Sequence, residues 1–207
     1  MEKQVYLQDP CRASSLPFWK TNSIQVTANL LILREDDPCL SGLSQIHMDT
    51  PYFKLIRHMK HIDRPRLPDG FRFIVPDETA LSRHITACYD LERATVSELA
   101  AYRLRPTYAP DLWLAIVNEG SNEIVASAIA ELDPDIREGI LEWIQVSPAY
   151  RHRGFGRLVI QEALYRLQGR ADFVTVSGKE NDPSNPRILY ERCGFTDGVI
   201  WHVLEKV

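Results

Sequence analysis

Cysteine is scarce in this chain of 207 residues, and the four cysteines show no pairing pattern. Cys11, Cys39, Cys88 and Cys193 form no CxxC motif, and no histidines stand at zinc-ligand spacing from them. We therefore expect neither a disulfide framework nor a metal site. Scattered, reduced thiols are typical of a cytoplasmic protein.

Long apolar runs are missing as well. No window approaches the 18 consecutive apolar residues that a membrane-spanning helix needs, and the first ten residues, MEKQVYLQDP, lack the apolar core of a signal peptide. The sequence therefore predicts a cytoplasmic protein without a membrane partner.

The chain also lacks an excess of positive charge. Its 24 Lys and Arg stand against 28 Asp and Glu, which gives a formal net charge of −4. Proteins that bind nucleic acid usually carry a basic surface and a high isoelectric point, so we expect no nucleic acid partner. A local basic loop can still bind a small anion.

The chain divides by composition at residues 62–70, IDRPRLPDG, where two prolines, one glycine and four charged residues are typical of a linker or a long turn. We therefore predict an N-terminal part, residues 1–70, and a C-terminal part, residues 71–207. The N-terminal part could cover an acceptor site, add strands to a sheet or mediate formation of a homodimer.

Hydrophobic periodicity and turn residues predict the elements of the C-terminal part. Asp77 and Asn185 are expected to precede helices, and Gly169 and Gly194 to end them. The predicted strands are 71–76, 112–120 (running into a turn), 123–133, 139–146, 172–178 and 198–207, and the predicted helices are 78–88, 94–103, 154–168 and 186–193. This order predicts an α/β (α+β) fold with a mixed, mostly antiparallel central sheet flanked by helices.

The N-terminal part is less regular. Its expected elements are VYLQ (5–8), a strand within SIQVTANLLILR (23–34) and a helix FKLIRHMKHI (53–62). We see no internal repeat of the C-terminal pattern in it.

The stretch SPAYRHRGFGRL, residues 147–158, concentrates arginine and glycine between a buried strand and an amphipathic helix. Unpaired N–H groups at a helix N-terminus attract anions, and glycine lets a phosphate approach the backbone. Taken by itself, the loop fits either a pyrophosphate-binding loop or a charged turn that only starts a helix. The nucleotide-binding patterns GxxxxGK[ST] and GxGxxG are both absent, which argues against a nucleotide-binding protein.

Two motifs in register resolve this choice. Arg151–Gly156 reads R-x-x-G-x-G after V-x-P (146–148), and residues 189–195 read LYERCGF. Together they resemble the acyl-CoA-binding motif Q/R-x-x-G-x-G/A and the L-Y-x-x-x-G-F signature of the GNAT superfamily of N-acetyltransferases. The resemblance covers about residues 71–207 and does not reach residues 1–70.

The resemblance implies a binding site for acetyl-CoA as co-substrate, without a metal. In the family the loop backbone binds the pyrophosphate, and the preceding strand, which splays from its neighbour to form a slot, pairs with the pantetheine amides. The cofactor-binding residues expected on this basis are Gln145, Val146, Arg151, His152, Arg153, Gly154, Phe155, Gly156, Arg157 and Asn185. Asn185 could instead serve only as a helix cap.

The resemblance also implies catalytic roles. Tyr190 matches the family tyrosine that protonates the leaving thiolate, a reasonable proton transfer between groups of comparable basicity; the alternative is a core aromatic residue. Glu142 stands on the strand before the loop, on the same predicted face as Ile144 and Val146, and is a candidate base. It could equally be a solvent-facing residue, and Glu131 and Asp133 are alternative bases.

These observations predict an acyl-CoA-dependent N-acyltransferase, in which a primary amine of a small molecule or peptide attacks acetyl-CoA directly in a ternary complex. Backbone N–H groups near Val146 would polarise the thioester carbonyl. The alternative is a catalytically silent acyl-CoA-binding or interaction module on the same fold, because a fold alone does not establish activity.

Overall fold

The computed structural model describes residues 1–23, 29–89 and 93–206. Contacts between Cα atoms divide the chain into two compact units. We call Met1–His58 with Phe173–Val207 the terminal unit, and Met59–Asp172 the central unit. This division places both ends of the chain in one unit, whereas the boundary predicted at residue 70 separates two consecutive segments.

The described residues form short N-terminal helices followed by alternating strands and helices. The helices are α1 Lys3–Gln8, α2 Pro10–Ala13, α3 Phe18–Thr21, α4 Leu40–Leu43, α5 Glu78–Cys88, α6 Val96–Tyr102, α7 Phe155–Leu167 and α8 Pro186–Arg192. The strands are β1 Leu30–Arg34, β2 His47–His58, β3 Phe71–Ile74, β4 Trp113–Asn118, β5 Ile124–Asp133, β6 Glu138–Val146, β7 Phe173–Lys179 and β8 Thr196–Lys206. Two 3-10 turns occur at Pro110–Leu112 and Pro148–Tyr150.

The central unit contains the strand order β3-β4-β5-β6, and each neighbouring pair is antiparallel. Helix α7 packs on β4, β5 and β6. The side of α7 that is buried carries its apolar residues at helical spacing, as the sequence predicts: Val159, Ile160, Ala163, Leu164 and Leu167. A second apolar cluster joins α5 and α6 to the strands through Leu81, Ile85, Leu99, Trp113 and Ile129.

The segment predicted as a linker lies against α7. Ile62 is buried, and its N–H donates to Gln168 Oε1 at 2.5 Å. The guanidinium of Arg64 lies with Nε 3.6 Å from Glu162 Oε2. Residues 62–64 of this segment therefore contact α7 and the residue that follows it, within the central unit.

The terminal unit contains the strand order β1-β8-β2-β7, again antiparallel throughout. The prediction of a helix over 53–62 is wrong, because residues 53–58 belong to β2. Four consecutive residues, Phe53 to Ile56, are buried in a strand that has neighbours on both sides. A short continuous apolar run has no period that separates a buried strand from a helix.

Lys54 lies at the centre of this strand with only 1% of its surface exposed. Its Nζ donates to the hydroxyl of Tyr6 at 3.1 Å and to the carbonyls of Pro10, Ser14 and Leu16 at 2.9, 2.8 and 3.0 Å. A buried ammonium group requires such acceptors because its desolvation is costly. The lysine thus ties the first 16 residues to β2.

The VYLQ segment lies within helix α1, and β1 begins at Leu30 inside SIQVTANLLILR; residues 24–28 of that segment lie outside the described part. The predicted fold class is confirmed: the fold is mixed α/β, with antiparallel strands flanked by helices. Among the described residues, no helix combines the length and the apolar character that crossing a membrane requires.

Candidate functional site

The loop between β6 and α7 has an irregular backbone that ends in a helix N-terminus. After the 3-10 turn, Arg151 is extended, and His152 has a φ of 60°. Gly154 stands at the N-cap with φ 86° and ψ −6°, a left-handed conformation that disfavours residues with a Cβ. The glycine is therefore needed here for the backbone conformation that turns the chain into α7.

An aromatic cluster supports this loop from below. Phe155 is buried, and its ring centroid lies 4.8 Å from that of Phe71 and 5.7 Å from that of Tyr150. Asn118 Nδ2 donates to the Tyr150 hydroxyl at 3.4 Å, and the Arg153 guanidinium lies 5.1 Å from the Tyr150 ring centroid. These contacts pack the 3-10 turn and the start of α7 against β3.

The N-terminus of α7 suits an anion. No side chain caps it, so the first N–H groups of this 13-residue helix lack the usual side-chain acceptor. His152, Arg153 and Arg157 are exposed around it, while Gly156 is buried. The partial positive charge of a helix N-terminus and the nearby guanidinium groups both favour a phosphate group at this place.

The last residues of β6 alternate in the direction of their main-chain groups. Ser147 N–H donates to Val125 O at 2.9 Å, so the N–H and C=O groups of Ser147 point toward β5. Those of Gln145, two residues earlier in the antiparallel pair, point the same way. Ile144 and Val146 therefore direct theirs away from β5. The Gln145 side chain is buried, with its amide nitrogen bonded to Ser127 Oγ. Of the two predicted strand residues, Val146 is the one with main-chain groups directed away from β5.

The C-terminal end of α5 contacts the same segment. Arg151 Nη2 donates to Cys88 O at 2.7 Å, and its Nε donates to Val146 O at 3.3 Å. The Tyr89 hydroxyl donates to Ile144 O at 3.3 Å. These carbonyls belong to the end of α5 and to β6, so Arg151, the first residue of the motif, bonds to the protein itself.

His84 and Cys88 lie one turn apart on the buried side of α5. Burial lowers the pKa of His84 to about 4, an effect partly opposed by its bond to the Gln145 backbone. His84 Nδ1 lies 3.4 Å from Ser147 Oγ, and its Nε2 lies 3.7 Å from Cys88 Sγ. Burial raises the pKa of the Cys88 thiol to about 11 despite the nearby Arg151.

Glu142 occupies a β-bulge. Ile129 pairs with Trp143 and Ala130 pairs with Leu141, so Glu142 is the extra residue between them. The strict alternation predicted for Glu142, Ile144 and Val146 is therefore interrupted at this residue. The Glu142 side chain is 16% exposed, and its Oε1 lies 3.9 Å from Arg105 Nη1. A bulge of this kind redirects a side chain, and here it redirects the predicted base.

The alternative base Glu131 is held more tightly. Its side chain is 1% exposed, and it accepts from Arg105 Nη1 at 2.6 Å and from Thr107 Oγ1 at 3.0 Å. This bond to Glu131 contributes to the raised pKa of Arg105, although burial opposes it. Asp133 is also buried, and it accepts from Asp135 N at 2.9 Å. Glu142 is thus the most accessible of the three candidate carboxylates.

A small cavity of about 120 Å³ lies beside β6 and α6. It is lined by Arg93, Ala94, Glu98, Leu99, Tyr102 and Trp143. Trp143 Nε1 donates to the Tyr102 hydroxyl at 3.4 Å, which joins the two aromatic walls. Within the described ranges, no three His, Cys, Asp or Glu side chains cluster closely enough to hold a metal ion.

Tyr190 and Asn185 belong to the terminal unit, whereas residues 142–157 belong to the central unit. Tyr190 is 7% exposed on α8, with ring centroids 6.0 Å from Phe53 and 5.8 Å from Phe195. Asn185 is the exposed N-cap residue of α8 with φ 47°, and its side chain makes no capping bond. The helix start is thus as predicted, but the capping interaction is not formed.

Sequence reasoning missed His84, Tyr89 and Arg105. The spacing of Leu81, His84, Ile85 and Cys88 on one side of α5 was a usable signal, because it places a histidine among core residues. Arg105 and Tyr89 lie outside regular elements, and no local pattern predicts their partners in β5 and β6.

Residues 110–197 match the family model described as the acetyltransferase (GNAT) domain. No curated protein matches the sequence significantly. A GCN5-related N-acetyltransferase from Sphaerobacter thermophilus shares the fold with a TM-score of 0.70 and 19% identity, over 85% of this chain and 59% of that one. The chain therefore spans about three fifths of the length of that relative.

Two further structures share the fold at lower similarity. A tandem GNAT protein from the clavulanic acid biosynthesis pathway has a TM-score of 0.57 and 14% identity, over 86% of this chain and 64% of that one. The ribosomal-protein-S18-alanine N-acetyltransferase from Escherichia coli has a TM-score of 0.52 and 16% identity, over 66% of this chain and 95% of that one. The resemblance inferred from the two sequence motifs is thus confirmed: residues 110–197 match the GNAT acetyltransferase domain, and the chain shares the fold of these GNAT proteins.

Proposed function

We propose that this protein transfers an acetyl group from acetyl-CoA to a primary amine by direct attack in a ternary complex. The observation that carries the proposal is the uncapped N-terminus of α7, which the loop after β6 enters through the left-handed Gly154. The GNAT domain match, which includes this loop and α8, supports the same reaction class.

The donor would be held by main-chain groups. N–H groups from His152 to Gly156 would donate to the pyrophosphate, with Arg153 and Arg157 adding positive charge at the rim. Main-chain groups of Val146 would pair with a pantetheine amide or with the thioester carbonyl, because they are directed away from β5. Gln145 would contribute indirectly, through its side-chain bond to Ser127.

In the reaction, the neutral amine nitrogen attacks the thioester carbon and forms the new C–N bond. The carbonyl oxygen becomes an oxyanion, which an N–H donor at the end of β6 would stabilise. Collapse of the tetrahedral intermediate breaks the C–S bond, and the thiolate takes a proton to leave as the free thiol of CoA. Most of the acceleration would come from holding the two substrates together.

Glu142 would accept the proton that the amine loses. It is the most accessible of the three candidate carboxylates, and the bulge gives it a direction different from that of a regular strand residue. Glu131 would not serve, because it is buried and already accepts two hydrogen bonds, from Arg105 and Thr107.

Tyr190 would supply the proton to the thiolate, as its position in LYERCGF suggests. Its ring packs against Phe53 and Phe195, which would hold the hydroxyl in one orientation. The same low exposure favours the second candidate function, a catalytically silent acyl-CoA-binding module in which Tyr190 is only a core residue.

The acceptor would be an amine of a small molecule or a peptide. Trp143, which lines the cavity, directly follows Glu142 in β6. The cavity is therefore a suitable place for part of the acceptor. Its apolar and aromatic walls would bind the carbon skeleton, and Glu98 and Arg93 would face its polar ends.

The test is release of CoA thiol from acetyl-CoA with a panel of amines, together with detection of the acetylated amine by mass spectrometry. For Tyr190→Phe we expect kcat to fall by about 100-fold or more, because general acid catalysis commonly contributes that much. Tyr165→Phe, a change at an exposed tyrosine late in α7, is the matched control.

Binding of acetyl-CoA without turnover of any amine would favour the silent module. Unchanged kcat for Tyr190→Phe at every pH would remove the acid role from Tyr190 while leaving the transferase intact.

A further inference from the structure

Hydrogen bonds connect the C-terminal end of α5 to β6 and to the β6–α7 loop, which the proposed function assigns to donor binding. Three hydrogen bonds make this connection, and all three use carbonyl oxygens as acceptors. Arg151 donates to Cys88 O at 2.7 Å and to Val146 O at 3.3 Å, and the Tyr89 hydroxyl donates to Ile144 O at 3.3 Å. We call Arg151, Tyr89 and the Cys88 carbonyl the α5 clamp.

Arg151 suits this role by its geometry. Its fork of N–H groups reaches two carbonyls in different directions, which a lysine ammonium on a flexible stem does less well. Cys88 is the last residue of α5, where carbonyls lack helical partners and carry partial negative charge. The guanidinium therefore satisfies a helix end and a strand end with one side chain.

The clamp contacts the proposed donor site through two carbonyl groups of β6. Ile144 and Val146 are the residues whose main-chain groups are directed away from β5, and the clamp holds the carbonyl of each. The N–H of Val146 is the donor proposed for the thioester or the pantetheine. Movement of α5 relative to β6 would therefore shift this N–H by changing the orientation of its peptide groups.

A buried contact below the clamp reinforces it. Ser147 Oγ donates to Ile124 O at 2.9 Å and lies 3.4 Å from Nδ1 of His84, on the same helix as Cys88. His84 thus joins α5 to the residue that follows Val146.

We propose that Arg151 and Tyr89 are positioning residues that fix the donor-binding edge of β6 to the end of α5. In this role Arg151 acts on the donor through Val146, and its charge is not a ligand for the pyrophosphate. The inference rests on the proposed function, because it assigns Val146 to the bound thioester.

Two thioester donors separate the positioning role from a phosphate contact. Acetyl-CoA carries the pyrophosphate, whereas S-acetylpantetheine keeps the thioester and the amides without any phosphate. For Arg151→Gln and Arg151→Lys we expect kcat/KM to fall by a similar factor, about tenfold, with both donors, since loss of a positioning contact acts on the reacting groups. The dependence of acetyl-CoA KM on salt should match that of the unmodified protein.

A phosphate contact gives the opposite pattern. Arg151→Gln would then raise KM for acetyl-CoA alone, Arg151→Lys would restore most of the affinity, and the salt dependence would weaken in Arg151→Gln. This pattern would overturn the proposal. Arg83→Gln is the matched control, because Arg83 is an exposed cation next to His84 on α5, outside the clamp.

Amide hydrogen exchange measured by mass spectrometry tests the clamp without any turnover. In Arg151→Gln and in Tyr89→Phe we expect faster exchange in peptides covering 84–89 and 144–151, and exchange like the unmodified protein in Arg83→Gln. Unchanged exchange in both clamp variants would contradict the proposal. If the unmodified protein acetylates no amine, the proposed function fails, and the exchange data still decide whether the clamp exists.

Discussion

His84 and Cys88 are residue types that can form a reactive thiolate–imidazolium pair, but here both side chains are buried. An imidazole and a thiol 3.7 Å apart resemble the start of a thiolate–imidazolium pair. Burial instead keeps both groups neutral, since it lowers the pKa of His84 to about 4 and raises the pKa of Cys88 to about 11. A covalent acyl-cysteine route through Cys88 is therefore disfavoured, and the pair serves to pack α5.

The neutral His84 makes stability depend on pH. Its folded pKa of about 4 lies below the ordinary value of 6.5, so the unfolded chain binds more protons between these two values. Stability should be full above pH 6.5 and should fall as the pH drops toward 4, by up to about 3 kcal/mol for this group. Urea unfolding at pH 7.5, 5.5 and 4.5 measures the loss.

The contribution of His84 is isolated by His84→Gln, which cannot take up the proton. This variant should show a flatter decline over the same pH range, whereas Thr79→Ala, at an exposed position of the same helix, should follow the unmodified protein. Parallel declines in all three proteins would assign the acid sensitivity to other groups.

Glu142 gives a second prediction at the residue scale. Glu142→Gln keeps the shape of the side chain and removes the base, so kcat at pH 7 should fall by about 100-fold. The deficit should shrink as the pH rises from 7 to 10, because a growing fraction of the amine substrate is already neutral. Steady-state kinetics over this range measure the ratio between the two proteins.

The control for the base is Glu119→Gln, at an exposed glutamate in the turn between β4 and β5. It should leave the whole profile unchanged. A deficit in Glu142→Gln that stays constant from pH 7 to 10 would indicate a structural role near Arg105 instead of proton transfer.

At the scale of elements, the β6–α7 loop depends on the backbone of one glycine. A Cβ placed on Gly154 meets no atom within 4 Å, so the cost of Gly154→Ala comes only from its φ of 86°. We expect a loss of about 1 kcal/mol in the free energy of unfolding and an increase in KM for acetyl-CoA as the loop relaxes. Gly154→Asn should lose less, because asparagine tolerates the left-handed region better.

Gly42 provides the comparison for this change. It lies in α4, a Cβ there also meets no atom within 4 Å, and its φ is not positive. Gly42→Ala should therefore be neutral or slightly stabilising. Equal effects of the two alanine substitutions in chemical denaturation would argue against the left-handed turn at Gly154.

Elements with local signals were predictable from the sequence. Asp77 accepts from Ala80 N at 2.7 Å and starts α5 as expected, and Gly169, with φ 76°, follows α7. Strand β2 was mistaken for a helix because its burial comes from neighbours far along the chain. A buried lysine inside an apolar run also resembles one polar position of an amphipathic helix until its acceptors in residues 6–16 are known.

The candidate site divides in the same way. Short sequence motifs predict the loop residues and Tyr190 as candidates, because both motifs are local. The bulge at Glu142 depends on the register between β5 and β6, and the acceptors of Arg151 depend on where α5 ends relative to them. These features arise from pairing over long sequence distances, which no single stretch of sequence encodes.

At the scale of the whole molecule, the strand order shows that residues from both ends of the sequence pair within one unit. In the terminal unit, β2 from the first 58 residues lies between β8 and β7 from the last 35. The family model matches residues 110–197, which include β7 and the first two residues of β8 but neither β1 nor β2. The N-terminal segment therefore supplies the central strand that joins β7 to β8.

This topology predicts how the chain responds to removal of residues 1–70. The remaining chain, 71–207, would lose the partner of Phe173–Lys179 on β7 and of Thr196–Lys206 on β8, and would expose apolar strand residues such as Val174, Val176 and Leu204. We expect it to be insoluble or to unfold without a cooperative transition. Coexpression with residues 1–70 as a separate chain should restore a soluble complex, because the missing strands can pair again. A sharp thermal transition for 71–207 alone would instead establish it as a domain that folds independently of the N-terminal segment.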